Sequence, residues 1–468
     1  MQRSVGLVLL VAGASLLVDS PAFAADAGEG SPQPTIADLL ERIETLEEDK
    51  TTMRGEIDEL HAQLGDTWLT EQRADEVRNL VADVLSDADV RASLLQAGLI
   101  AGWSDHFFLA SPDGRFKLQL EGQLQFRYVW NYHDLPDRYI GGFENTRTKL
   151  AFRGHVFNRD LTYLVKGRFD RDGGGFGLED AWVRYLLNNE WSVRAGQFKL
   201  PFGREELVSS ARQLAVERSL INESLNLGRS QGVELTYANH TSRLSFAVSD
   251  AGQEQVGGFS IVGTTSPSNT PALEPGLAEY AVTGRYEKLI AGRWAQFDDF
   301  TSPAGEQFGL LVGVGAHLQQ DEFGTGFGSA RDEELWLAWT VDASVEWGGA
   351  SVFASMTHHI IDDPALGDVN VYGLVIQGGA YLTPKFEAFA RFEYGVFDFE
   401  ALDFDDVSLL TLGGNYYFDG HDAKLSADIG FGLSQIESAW DSDIAGWRRD
   451  LAGSEPQVVI RTQLQLLF

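Results

Sequence analysis

The residues with the most evident chemical capacity are basic side chains between positions 117 and 229, because they recur in strict alternation with apolar ones. Phe116, Leu118, Leu120, Leu124, Phe126, Tyr128 and Trp130 take even positions. Lys117, Gln119, Glu121, Gln123, Gln125 and Arg127 take odd ones. Side chains of a strand point to opposite faces in turn, so Lys117 and Arg127 share a polar face. The same rule sets Arg147, Lys149 and Arg153, with His155, opposite Thr148, Leu150 and Phe152. It sets Lys166 and Arg168 opposite Tyr163, Val165 and Phe169, Arg184 opposite Val183 and Tyr185, and Arg194 opposite Val193. The longer segment 199–230 adds Lys199, Arg204, Arg212, Arg218 and Arg229. A row of fixed cations can replace part of the hydration shell of a passing anion, and guanidinium forks suit oxyanions. Several moderate sites conduct where one tight site would trap. Glu121, Asp170, Asp180, Glu205, Glu206 and Glu217 lie among these cations. The competing expectation is therefore a set of transverse ion pairs that hold the wall of a weakly selective pore.

Catalytic chemistry has no comparable signal. His358 and His359 are adjacent, so on a strand they point apart and make a poor metal pair. No G-x-S-x-G, H-E-x-x-H or P-loop spacing occurs. The chain has no cysteine, which excludes disulfides and cysteine-ligated metals. The expectation is a protein that is not an enzyme and needs no cofactor or metal. A net charge of −33 argues against nucleic acid as a partner. That charge is uneven. Residues 1–110 hold 7 basic and 20 acidic residues, 111–230 hold 18 and 15, and 231–468 hold 11 and 34. Half of the Lys and Arg thus fall in about a quarter of the chain.

The elements that must position these cations are strands. There are 50 Gly, 13 Pro and 11% aromatic residues, a balance that suits strands and tight turns. About sixteen strands are expected, near 115–131, 145–157, 160–170, 177–187, 190–198, 231–238, 242–250, 279–287, 308–318, 333–347, 350–360, 370–382, 386–396, 406–418, 422–435 and 457–468. Their connectors alternate between short turns and long loops, the pattern of a bacterial outer-membrane barrel. Tyr128 and Trp130 end the first strand as an interfacial girdle would. A charge on the lipid face costs about 2–4 kcal/mol at mid-membrane, so the cations belong inside. The connector 288–307 is too long for its short-turn side, and implies either a misread strand end or a folded insert. The 199–230 segment has the length of a loop that folds inward and narrows the barrel.

The chain divides into a secretory signal at 1–24, a coiled coil at 25–66, a helical linker at 67–110 and a barrel at 111–468. Arg3, the apolar run 5–18 and Ala22-Phe23-Ala24 carry the signal. Ile36, Ile43, Lys50, Ile57 and Leu64 fall at heptad position a, and Leu39, Leu46, Met53 and Leu60 at d. An amphipathic helix packed on a globular domain would give the same spacing. The fold class is all-β: a transmembrane antiparallel β-barrel of about sixteen strands, preceded by a periplasmic α-helical coiled coil. That helix offers a second role, tethering the envelope to the cell wall or a periplasmic partner.

Several segments between 113 and 235 resemble the phosphate-selective porin O and P family. They are Asp113-Gly114 leading to Gly122–Arg127, then 147–154, 166–170, and Leu178-Glu179-Asp180-Ala181-Trp182 with Tyr185. The most specific is Gly196-Gln197-Phe198-Lys199-Leu200-Pro201-Phe202-Gly203, followed by Glu217-Arg218-Ser219. The resemblance covers about the first third of the barrel. It implies a sixteen-stranded barrel that forms homotrimers, each protomer a separate pore. It also implies passage of small anions, phosphate among them, past arginines and a constriction made by an inward-folded loop. The terminal Phe468 resembles the signal read by the outer-membrane barrel assembly machinery.

Overall fold

The computed structural model describes residues 99–104, 106–133, 139–171, 173–252, 278–321, 334–363, 367–399, 402–403, 405–451 and 453–468. The signal segment, the heptads and the linker up to residue 98 lie outside the described residues.

A short hairpin comes first, β1 (Ile100–Ser104) and β2 (His106–Ala110). It corrects the expectation of a helical linker reaching residue 110. Trp103, Phe107 and Phe108 in this segment favour a strand over a helix. The barrel follows: β3 (Lys117–Tyr132), β4 (Tyr139–His155), β5 (Leu161–Phe169), β6 (Phe176–Leu186), β7 (Trp191–Lys199), β8 (Arg229–Ala238), β9 (Ser242–Ser249), β10 (Ala278–Ala291), β11 (Gly309–Asp321), β12 (Glu334–Trp347), β13 (Ala350–Asp363), β14 (Gly367–Thr383) and β15 (Phe386–Phe399). The two-residue β16 (Leu402–Asp403) pairs with the end of β15. Then come β17 (Val407–Asp419), β18 (Ala423–Gly432) and β19 (Val458–Leu467).

Every barrel strand pairs antiparallel with its sequence neighbours, β15 with β17, and β19 closes on β3. The closed barrel has 16 strands, each where the alternation placed one. Closure leaves no open edge along these strands, as a spanning sheet requires. β19 uses the edge of β3 from Gln123 to Tyr132, and β2 uses the same edge below it, from Lys117 to Leu120. Phe468 joins the two sections through main-chain bonds in both directions with Gly122. A Cβ on Gly122 would lie 2.3 Å from the Phe468 ring, so this glycine makes the seat for that ring.

The period-2 pattern sets the two faces. Leu124, Phe126, Val233, Leu235, Leu244 and Phe246 are exposed on the outside. Gln123, Gln125, Glu234 and Ser245 are buried inside. A sixteen-stranded wall is too wide for its own side chains to fill. Among the described residues, three inward segments fill one side. The 200–228 loop crosses the middle, the 433–457 loop folds in from the long-loop end, and the 292–308 connector folds under them at the short-turn end. Leu220, Ile221 and Leu225 of the first pack with Trp440 and Trp447 of the second and Trp336, Ile361 and Val371 of the wall. Phe300 of the third packs with Val208, Leu214, Phe353 and Phe389. Both readings of the long connector hold in part: β10 runs on to Ala291, and a one-turn 3-10 helix follows at Trp294–Asp298.

Candidate functional site

The Gly196–Gly203 motif is the hinge where the chain leaves the wall. Gly196 has φ +127°, and a Cβ there would lie 2.2 Å from the Ala181 carbonyl oxygen. Only glycine fits that position. Phe198 shares the inward face of Arg194, two positions on from Gly196, and is fully buried. Gln197 donates to the Glu179 carbonyl at 2.9 Å, and the Leu200 N–H donates to the Gly228 carbonyl at 3.1 Å, closing the base of the loop. The loop then forms α1 (Arg204–Leu207) and α2 (Leu220–Leu225). Ser219 caps α2 by accepting from the Asn222 N–H, while Glu205 accepts from the Ser219 N–H and hydroxyl. Burial pushes the Glu205 carboxyl above the usual range.

The loop reaches the opposite wall. Lys424 donates to the Gln213 carbonyl at 2.9 Å, Asn415 to Leu214 at 2.8 Å, and Gln465 to Ala211 at 2.9 Å. The Val216 N–H donates to Asp428 at 3.0 Å. Glu217 binds Arg127 at 3.1 Å and also Arg147. The 292–308 connector supports the loop from below: Arg204 donates to the Phe297 carbonyl at 2.6 Å and Arg212 lies 3.6 Å from Asp298. Beside it, burial opposes ionisation of Asp299, yet His421 at 3.2 Å and the Thr301 N–H hold its carboxyl below the usual range.

The sequence-predicted cations divide into two sets. In the first, most partners are buried groups of the loop and the adjoining wall. Arg127 is fully buried between Glu144, Glu217 and the Ile444 carbonyl. Arg147 shares Glu217. Lys199 and Arg218 hold Glu206 at 2.8 and 3.2 Å, and Arg229 holds Asp180 at 3.0 Å. Arg204 also donates to Ser344 at 2.8 Å. Lys117 lies over the Phe108 ring of the hairpin, and the exposed Arg168 lies 3.9 Å from Asp170 near the long-loop end. For Arg127, Arg147, Lys199, Arg204, Arg218 and Arg229 the geometry is that of anchoring, which corrects the expectation of a free ladder.

The second set lines an open cavity of about 1140 Å³ on the β3–β10 side of the lumen. Lys149, Arg153, Lys166, Arg184, Arg194 and Arg212 are all there, and Arg204 of the first set also lines it. Lys149 and Lys166 share Glu179 at 2.7 and 3.4 Å, Arg153 meets Glu121 at 2.6 Å, and Arg194 meets Glu234 at 2.6 Å. Arg184 has no carboxylate within ion-pair distance among the described residues and lies over the Trp182 ring at 5.1 Å. Two further cavity cations fall outside the predicted set. Arg243 meets Glu287 at 3.2 Å, and Arg285 is clamped by Asp342 at 2.8 Å and donates to the Phe202 carbonyl. The alternation with Leu244 and Tyr286 carries both, by the rule that gave the others.

His359 points inward beside Trp336, while His358 points outward, stacked on Tyr372 at 4.0 Å. Among the described residues no group of three or more His, Asp or Glu is arranged to hold a metal ion.

The family model for phosphate-selective porin O and P matches residues 118–296. An uncharacterized protein of Aquifex aeolicus (strain VF5) is 25% identical over 305 residues, spanning 61% of this chain and 70% of its own. An anion-selective porin from Comamonas acidovorans superposes with a TM-score of 0.51 at 15% identity, covering 75% of this chain and 99% of that one. The outer membrane channel DcaP of Acinetobacter baumannii gives a TM-score of 0.51 at 13% identity, covering 79% and 100%. The fold is that of the porin-type outer-membrane β-barrels.

Proposed function

We propose that this barrel is an outer-membrane channel for passive diffusion of small hydrophilic solutes, with a preference for anions. The observation that carries the reading is the cavity beside β3–β10, whose cations outnumber its carboxylates and include the unpaired Arg184. Chloride, phosphate and small carboxylates fit that chemistry, since guanidinium and ammonium groups can replace their lost water. Passage needs no cofactor. The match to the phosphate-selective family supports phosphate as one solute and a homotrimer as the assembly. By the same resemblance, Phe468 would be read by the barrel assembly machinery. The pairing of Arg153, Lys166 and Arg194 with acids favours a second reading, a weakly selective pore.

The deciding measurement is the reversal potential of the reconstituted protein in a planar bilayer under a KCl gradient. An anion-selective sign is expected, with Arg184→Glu moving it toward cations. A cation-selective sign in the unsubstituted protein overturns the proposal, and a permeability ratio near one selects the weakly selective pore.

A further inference from the structure

The open cavity is a slot with two unlike sides. One side is the cationic wall, with Arg153, Lys166, Arg184 and Arg194 on β4–β7. The facing side is the constriction loop, which presents Pro201, Leu207, Val208 and Ala211 beside Arg204, Ser209 and Arg212. The cationic wall itself is interrupted by apolar residues at inward positions. Leu164 is the cross-strand neighbour of Arg153 and Trp182, and Leu186 follows Arg184 on the same face of β6. Leu186 is 41% exposed although it points into the lumen. Such side chains give a hydrated inorganic ion no ligand. They gain only when a solute brings apolar surface of its own out of water.

Arg184 shows where the charge of that solute would go. It stands directly across from Arg194 in the β6–β7 ladder. Like charges at opposed positions repel, so the pair needs compensation. Arg194 has it, from Glu234 at 2.6 Å and the face of Phe198 at 4.2 Å. Arg184 has the face of Trp182 at 5.1 Å but no carboxylate within ion-pair distance among the described residues. A guanidinium on the cavity wall with no carboxylate beside it is open to a bound oxyanion.

We propose that this slot is a binding site for amphiphilic organic monoanions, taking the carboxylate on Arg184 and the apolar body between Leu164, Leu186 and the loop residues Leu207 and Val208. The inference rests on the anion-channel reading and narrows it. Inorganic phosphate is a passing ion at this site, and an aromatic or branched carboxylate is the ligand.

The test uses the full chain in planar bilayers, with chloride current blocked by added sodium benzoate, sodium acetate or inorganic phosphate. Benzoate is expected to half-block at a concentration at least about tenfold below that of acetate or phosphate, given the apolar surface it buries. Arg184→Gln should raise the benzoate value about tenfold. Leu207→Ser should shrink the preference for benzoate over phosphate. Leu186→Ser, on the exposed part of the wall, makes the same test should the loop variant fail to insert. Equal half-block concentrations for the three anions, or a benzoate block indifferent to Arg184→Gln, overturn the inference. A cation-selective reversal potential sinks the underlying channel reading instead, and is scored separately from the block.

Discussion

Glu217 holds the constriction loop to two strands with one carboxylate. It takes Arg127 of β3 and Arg147 of β4, while its own carbonyl accepts from Arg391 of β15 at 2.8 Å. Removing one partner of a buried pair leaves an uncompensated charge, and here it leaves Arg147 without a carboxylate and Arg127 with Glu144 alone. Glu217→Gln should therefore destabilise the folded barrel by about 3–5 kcal/mol, read as a lower midpoint in urea unfolding from detergent. An unchanged midpoint would mean the pairs are dispensable. At this scale the sequence was half legible. Alternation gives the inward direction of Arg127 and Arg147, because a strand has only two faces. It gives no sign that a loop acid from position 217 meets them, because that partner is brought in by tertiary folding. Arg184 and Arg194 look equivalent in sequence, yet Glu234 across the next ladder pairs one and leaves the other without a carboxylate.

The constriction loop behaves as a packed element because it is gripped from both sides. Ile221 and Leu225 meet Trp440 and Trp447 above, and Val208 and Leu214 meet Phe300 below. Glu223 on α2 is the exception to this good fit. Burial, and then the nearby Glu217, push its carboxyl up to about 7. A raised acid favours the folded state in its neutral form. Its contribution is full below about 4.5 and is lost as pH rises through about 7. Glu223→Gln should remove that loss, so the gap in unfolding temperature between variant and parent should widen from pH 4.5 to pH 8. A constant gap would refute the assignment. The loop's inward fold was legible from its length. The support beneath it was legible only as a connector too long for a turn. What such a connector packs against depends on Phe297 and Phe300 finding a cavity, which no local pattern records.

Among the described residues, the barrel is solid on one side and open on the other. Three inward segments fill the lumen beside β12–β17, and the cavity runs beside β3–β10. The sequence foretold the strand number, the closure and the side of the cations. It did not foretell an apolar core inside a lumen expected to be polar throughout, because alternation cannot tell an outward apolar face from an inward one covered by a loop. The division also gives the net charge of −33 a local meaning, since residues 111–230, which supply most of the cavity wall, hold 18 basic and 15 acidic residues. Screening should expose this. The Debye length is about 10 Å at 0.1 M salt and about 3 Å at 1 M. The anion-to-cation permeability ratio should thus fall as KCl rises from 0.05 to 1 M, and a ratio independent of salt would argue against a cationic wall. The hairpin below the seam has a mechanical consequence. β1 pairs with β2 over five residues and β2 with β3 over four, all parallel to the barrel strands. Interstrand bonds lie across the strands. Tension drawn lengthwise through Ile100 loads each ladder in shear, so its bonds must fail together, whereas a sideways pull would part them one at a time. The hairpin is an anchor that resists axial force and yields to peeling.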